Sequence, residues 1–155
     1  MKLKGIIFED FVNYKKPCMV LQFPKCDFKC GESVCQNSAL ALSPDIECSA
    51  KEVAKMYVNN PITEAVVMQG LEPFQSFPDM IEFISYLRND FQCDDDIVIY
   101  TGYEEDELPF YLEALEEYKN IIVKFGRYIP GEAERYESLL GVKLASGNQY
   151  ARKIS

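Results

Sequence analysis

The sequence predicts an α/β fold built on a mainly parallel, open sheet. Short apolar segments typical of buried strands alternate with segments whose apolar residues recur at helical spacing. This alternation is typical of parallel strands joined by right-handed helical crossovers. The chain has 155 residues, the size of one domain, and is too short for a closed eight-fold barrel of about 250 residues. We therefore expect a single domain over residues 1–155, with its helices on the outer face of the sheet.

The first predicted strand covers residues 17–23 (PCMVLQF), which form a short apolar run. A loop that contains three cysteines follows from Pro24 to about Ser43, and we call residues 24–43 the cysteine loop. A helix is predicted over residues 49–59, because apolar residues recur there every three or four positions and Ser49 can serve as its N-cap.

The later elements are predicted by the same criteria. In chain order they are a strand at residues 64–68, a helix with Met80, Phe83, Ile84 and Leu87 on one face, a strand at residues 97–101, a helix with Leu108, Tyr111, Leu112 and Leu115 on one face, a strand at residues 120–126 and a short strand at Val142–Ala145. Pro109 is compatible with the third helix only near its start. Ligands of parallel sheets bind beyond the carboxyl ends of the strands. The cysteine loop and the segment QGLEP at residues 69–73 both follow such ends, which predicts a site there.

The composition excludes several classes of function. The 25 acidic and 16 basic residues give a net charge of −9, which disfavours binding to the phosphates of nucleic acids. The chain contains no histidine, so it cannot form a histidine-based nucleophile system or a histidine-ligated zinc site. Any catalysis must therefore use carboxylates, lysine, tyrosine, cysteine or a bound cofactor.

The sequence also indicates a compartment. The first residues, MKLKGIIFEDF, have only a short apolar stretch before two acidic residues, which does not fit a signal peptide. No apolar run approaches the ~18 residues that cross a membrane. We therefore expect a cytoplasmic protein without a membrane partner, in which the six cysteines are ligands or reactive thiols rather than disulfides.

Three of the six cysteines, Cys26, Cys30 and Cys35, lie within ten residues of the cysteine loop. They could be small apolar residues, a redox pair, or part of a structural zinc site, which would need a fourth ligand. The alternative is an iron–sulfur cluster held by three thiolates, which leaves one iron with an open coordination position. That open position is suited to binding a substrate or cosubstrate.

With this arrangement of cysteines, the chain resembles the radical S-adenosylmethionine (SAM) proteins. More narrowly, it resembles the activating proteins of anaerobic ribonucleotide reductases. The resemblance rests on these segments: Cys26-x-x-x-Cys30, Cys35–Asn37, Met68–Pro73 (MQGLEP), Ile97–Tyr103 (IVIYTGY), Asp106–Leu108 (DEL), Ile121–Arg127 (IIVKFGR) and Ala145–Gln149 (ASGNQ). Two features depart from the family pattern. Four residues separate Cys30 from Cys35 where the family has two, so Ser33 stands where strict spacing would place the third ligand. Leu71 stands where the second glycine of the motif is usual.

The resemblance implies a fold, cofactors and partners. The fold is an incomplete (partial) β/α barrel of the small radical SAM type. Cys26, Cys30 and Cys35 would bind a [4Fe-4S] cluster, and SAM would bind its open iron, with contacts from Val34, Gly70 and Glu72. No residue of the chain would itself be catalytic, because the cluster and SAM carry the chemistry. The partners would be the large, glycyl-radical subunit of anaerobic ribonucleotide reductase and an electron donor such as flavodoxin or ferredoxin.

Two other functions remain open at this point. One is radical SAM chemistry on a different glycyl-radical enzyme or on a small molecule. The other is not enzymatic: a small module that uses the cysteine loop to bind a structural metal.

Overall fold

The computed structural model describes residues 1–155. Its strands are β1 (Lys2–Leu3), β2 (Gly5–Asp10), β3 (Cys18–Phe23), β4 (Ile46–Glu47), β5 (Ala65–Gly70), β6 (Asp96–Tyr100), β7 (Ile121–Phe125), β8 (Arg135–Glu137), β9 (Val142–Leu144) and β10 (Tyr150–Lys153). Its helices are α1 (Ser38–Leu42), α2 (Ala50–Val58), α3 (Phe77–Ser85) and α4 (Pro109–Leu115). Short 3₁₀ turns cover Glu32–Val34, Pro73–Ser76 and Glu105–Glu107, and a π-helical turn, Tyr86–Asp90, extends α3.

Six of the strands form one sheet in the order β10-β7-β6-β5-β3-β2. The four central strands are parallel, and β2 and β10 pair antiparallel at the two edges. Helices α2, α3 and α4 each connect one central strand to its neighbour in the sheet. The prediction of a mainly parallel open sheet with intervening helices is confirmed.

The parallel strands are buried on both faces, as their continuous apolar sequences require. Side chains such as Leu21 and Ile99 pack against the apolar faces of α2, α3 and α4 in a cluster of 24 buried residues. The alternate side chains, such as Val20 and Val98, form a second cluster of nine buried residues with Leu140 from the C-terminal part of the chain. The three helices therefore cover one face of the sheet, as predicted. On the opposite face, the half nearest the carboxyl ends of the parallel strands is not covered by these helices and can form a site.

The predicted strands and helices are present with small differences in their bounds. Ser49 is the N-cap of α2, and its side chain accepts a hydrogen bond from the Glu52 amide at 3.3 Å. The two edge strands were not predicted from the sequence. β2 pairs antiparallel with β3, the next strand of this sheet along the chain, and β10 pairs antiparallel with β7. Neither edge strand contains a buried residue, so neither has the signal of a central strand. Helix α1, which has five residues and lies within the cysteine loop, was not predicted either. None of the helices combines the length and the apolar character needed to cross a bilayer.

Candidate functional site

The carboxyl ends of the four parallel strands open into one cavity of about 390 Å³. The cysteine loop forms one wall, the ends of β3, β5, β6 and β7 form the floor, and residues 142–149 form the opposite wall. Because this is where parallel α/β sheets bind their ligands, the cavity is the candidate site.

The cavity brings together the three thiols of the cysteine loop. Cys26, Cys30 and Cys35 all line it, each is half-buried, and none forms a disulfide. Ser33 is exposed and does not line the cavity. The remaining cysteines lie elsewhere: Cys18 in β3, Cys48 before α2 and Cys93 before β6. The site therefore offers three thiols and no fourth cysteine.

The surroundings of Cys26 and Cys30 favour the protonated form of these two thiols. Burial raises the pKa of Cys26 to about 11, although its sulfur accepts a hydrogen bond from the Phe28 amide at 3.2 Å. Burial, followed by the neighbouring Cys35 thiol, also raises the pKa of Cys30. A metal that binds here must therefore displace protons from the sulfurs.

The donor set fits a [4Fe-4S] cluster. No three cysteine, aspartate or glutamate side chains are close enough together to enclose a single metal ion. A cluster differs from a single ion in that each iron occupies its own corner, so its ligands do not converge on one point. Three free thiols around one cavity, with no fourth cysteine, match a cluster that has one iron without a protein thiolate.

A polar network fixes the cysteine loop to the ends of β6 and β7. The Tyr103 hydroxyl donates to the Asp27 carboxylate at 2.8 Å, across 76 residues of sequence. Lys29 and Arg127 both lie over the Tyr103 ring, 5.1 and 5.3 Å from its centroid. Arg127 also donates two hydrogen bonds to Glu107, at 2.8 and 2.9 Å, which lowers the pKa of that carboxyl to about 2. We call these five residues the loop network.

Glu72, which follows β5, is held inside the site by three donors. The Phe74 amide and the Thr101 hydroxyl donate to its Oε1 at 3.2 and 2.8 Å, and the Gly102 amide donates to its Oε2 at 2.9 Å. The residue is only 4% exposed. Burial raises the pKa of Glu72 to about 7, against the opposing effects of these hydrogen bonds and the nearby Lys124. A carboxylate has about four acceptor sites, so one site on Oε2 stays free.

A row of polar side chains crosses the floor of the cavity. Gln22 is opposite Gln69, Tyr100 is opposite Lys124, and the register that pairs Met68 with Ile99 puts Gln69 beside Tyr100. Lys124 is 6% exposed and donates to the Gly126 carbonyl at 2.9 Å, and burial lowers its pKa to about 8. This row was not predicted from the sequence.

Gly70 and Val34 also line the cavity. Gly70 has a φ of +113°, and a Cβ there would lie 2.7 Å from the Phe23 nitrogen. The requirement for glycine therefore comes both from this positive φ and from the close approach of the neighbouring strand β3. The Gly70 carbonyl accepts a hydrogen bond from the Asn37 side chain at 2.9 Å, which attaches the cysteine loop to β5. Val34 is 36% exposed and presents an apolar side chain beside Cys35.

The segment Ala145–Gln149 stabilises the end of β7. The Asn148 side-chain amide donates to the Arg127 carbonyl at 2.8 Å, and the Gln149 side-chain amide donates to the Gly126 carbonyl at 3.2 Å. The Ser146 hydroxyl donates to the Asn148 side chain at 2.7 Å. These bonds position the backbone next to Arg127 in the loop network.

Comparison with known proteins gives one match. A family model described as a 4Fe-4S single cluster domain matches residues 17–144 of the 155-residue chain. No curated protein and no solved structure matches the chain significantly. The matched residues include the cysteine loop and the four parallel strands. The match therefore indicates a domain that binds a [4Fe-4S] cluster.

Proposed function

The chain belongs to the family of 4Fe-4S single cluster domains, and we propose that it is a radical SAM activating enzyme. Its cosubstrate would be SAM, and its target would be the glycyl-radical subunit of an anaerobic ribonucleotide reductase. The observation that carries this proposal is the composition of the cavity: three free thiols, a buried carboxylate and no fourth cysteine at the ends of parallel strands.

Cys26, Cys30 and Cys35 are the proposed cluster ligands. When bound, the reduced cluster would supply one electron for the cleavage of SAM, the chemistry by which a hydrogen atom would be removed from a glycine of the partner. The position of Cys35 on the cavity wall, with Ser33 outside it, supports Cys35 as the third ligand. The longer spacing is accommodated by a 3₁₀ turn, Glu32–Val34, between Cys30 and Cys35.

Glu72 and its neighbours would orient the cosubstrate. The free acceptor site on Glu72 Oε2 is available to the ammonium group of SAM, and the ionised form of Glu72 would be favoured by that cation. Thr101 and Gly102 hold the carboxylate in place before any ligand arrives. The Val34 side chain would make an apolar contact with SAM, and the Gly70 backbone would contact SAM at the cavity floor.

The loop network would hold the ligand thiols in position. Asp27 and Lys29 lie between Cys26 and Cys30, and both contact Tyr103 at the end of β6. Because the network spans the loop and two strands, the loop need not become ordered when the cluster binds. An electron donor such as flavodoxin or ferredoxin would supply the reducing electron.

The test is anaerobic loading of the protein with iron and sulfide, followed by dithionite and SAM, with 5′-deoxyadenosine as the measured product. We expect the wild type and Ser33→Ala to form it, and Cys26→Ala, Cys30→Ala and Cys35→Ala to form none. A cluster-loaded wild type that forms no 5′-deoxyadenosine would disprove the proposal. Bound zinc without SAM cleavage would instead indicate a structural metal module. If Ser33→Ala loses the cluster and Cys35→Ala keeps it, the assignment of the third ligand is wrong.

A further inference from the structure

We propose that the turn between β2 and β3 at the mouth of the cavity is the docking surface for the protein substrate. We call residues 11–15 (FVNYK) the mouth turn. The inference rests on the proposed function for the identity of the partner, because it assumes that a segment of another protein enters the cavity.

The mouth turn exposes two large apolar side chains next to each other. Phe11 is 65% exposed and Val12 is 73% exposed. Val12 also lines the cavity together with Asn13, so the exposed surface is continuous with the site. Single exposed apolar residues are common on protein surfaces, but an adjacent pair at the rim of a ligand cavity is suited to a partner contact.

The turn is rigid in spite of this exposure. The Asp10 carboxylate accepts hydrogen bonds from the Val12 and Asn13 amides at 3.0 and 2.9 Å. The Tyr100 hydroxyl donates to the Asn13 carbonyl at 2.7 Å, and the Lys15 amide donates to the Leu140 carbonyl at 2.8 Å. A rigid turn that presents an aromatic side chain loses little conformational entropy when a partner binds.

The charge of the surface around the turn indicates the chemistry of the partner. The chain has a net charge of −9, yet Lys15 in the mouth turn forms no ion pair with any acidic residue. Lys143, on the cavity wall formed by residues 142–149, is a second exposed cation, but it lies 3.7 Å from the Glu134 carboxylate, so Lys15 is the cation left for a partner. A contact segment with apolar and acidic side chains would therefore complement this part of the surface. The occupant we commit to is the protein that carries the target glycine.

The test measures binding of the glycyl-radical subunit of the anaerobic ribonucleotide reductase from the same organism to the cluster-loaded protein. The variants are Phe11→Ser and Lys15→Glu. Their matched controls are Phe110→Ser, an 82% exposed phenylalanine on α4, and Lys55→Glu, an exposed lysine on α2, both outside the cavity. The dissociation constant and, separately, 5′-deoxyadenosine formed without the subunit are recorded for each protein.

We expect Phe11→Ser to raise the dissociation constant at least about tenfold, the size of loss found when a hot-spot side chain is removed from an interface. We expect Lys15→Glu to slow association at low salt. The control variants should stay within about twofold of the wild type, and Phe11→Ser should leave 5′-deoxyadenosine formation unchanged.

The inference is overturned if Phe11→Ser binds the subunit as the wild type does, or if the wild type does not bind it. It is also overturned if Phe11→Ser converts a wild-type dimer into a monomer, because a second copy of the chain would then cover the turn. A wild type that binds the subunit but forms no 5′-deoxyadenosine refutes the proposed function, and the docking surface is then judged on the dissociation constants alone.

Discussion

Replacement of Glu72 by glutamine tests the electrostatics of the site in the metal-free protein. Burial raises the pKa of Glu72 from 4.5 to about 7. At about 1.4 kcal/mol per pH unit, the folded state disfavours the ionised carboxylate by about 3 kcal/mol. Glutamine has the same shape and cannot ionise. Its amide group would face the Gly102 N–H, a mismatch that costs about 1–3 kcal/mol at every pH.

The sign of the pH dependence follows from proton binding. Between pH 4.5 and about 7 the folded protein keeps the Glu72 proton while the unfolded chain has lost it. The free energy of unfolding therefore falls as the pH rises through this range. The stability that neutral Glu72 contributes is fully present below pH 4.5 and is lost above about pH 7. The variant has no such dependence.

The assay is urea unfolding of the reduced, metal-free proteins at intervals from pH 4.5 to 8. We expect the unfolding free energy of the wild type minus that of Glu72→Gln to fall by about 3 kcal/mol across this range. Glu113→Gln, on the exposed face of α4, is the control and should show a constant difference. A difference for Glu72→Gln that changes by less than about 1 kcal/mol, or that increases with pH, would refute the reasoning.

Two further substitutions test the geometry of the site. Gly70→Ala should lower the unfolding free energy by more than about 2 kcal/mol, because the new Cβ would lie 2.7 Å from the Phe23 nitrogen at a φ of +113°. Gly131→Ala, where nothing lies within 4 Å, should cost less in the same urea titration, and equal costs would contradict this account. Tyr103→Phe removes the hydrogen bond to Asp27 and should speed amide hydrogen exchange in the cysteine loop about fivefold to twentyfold. Tyr111→Phe is the matched control, and unchanged exchange in Tyr103→Phe would show that the network does not hold the loop.

The central strands and the cysteine loop could be predicted because their signals are local. Each strand is a continuous apolar run, and the three cysteines lie within ten residues of sequence. The loop network could not be predicted in this way, since Tyr103 and Asp27 are 76 residues apart. No sequence pattern near Asp27 indicates which distant hydroxyl group donates a hydrogen bond to it, because that contact depends on the lengths of the intervening strands and helices.

The polar row on the cavity floor did have a sequence signal. Gln22, Gln69 and Lys124 are each the second-last residue of an apolar parallel strand. An isolated polar residue in such a strand has no obvious meaning. When the strand ends are aligned, however, the three fall at one level and face the same cavity. Alignment of strand ends is therefore a way to find site residues that lie outside short motifs.

The segment Thr101–Tyr103 links two parts of the site. Thr101 and Gly102 donate to the Glu72 carboxylate, and Tyr103 donates to Asp27 in the cysteine loop. Three consecutive residues therefore fix the distance between the buried carboxylate and the thiol-bearing loop. Gly102 contributes its backbone amide, and a Cβ there would lie in van der Waals contact with Glu72 Oε2, at 3.7 Å. The carboxylate and the loop are thus arranged for a ligand before it binds, so the binding energy need not be used to order them.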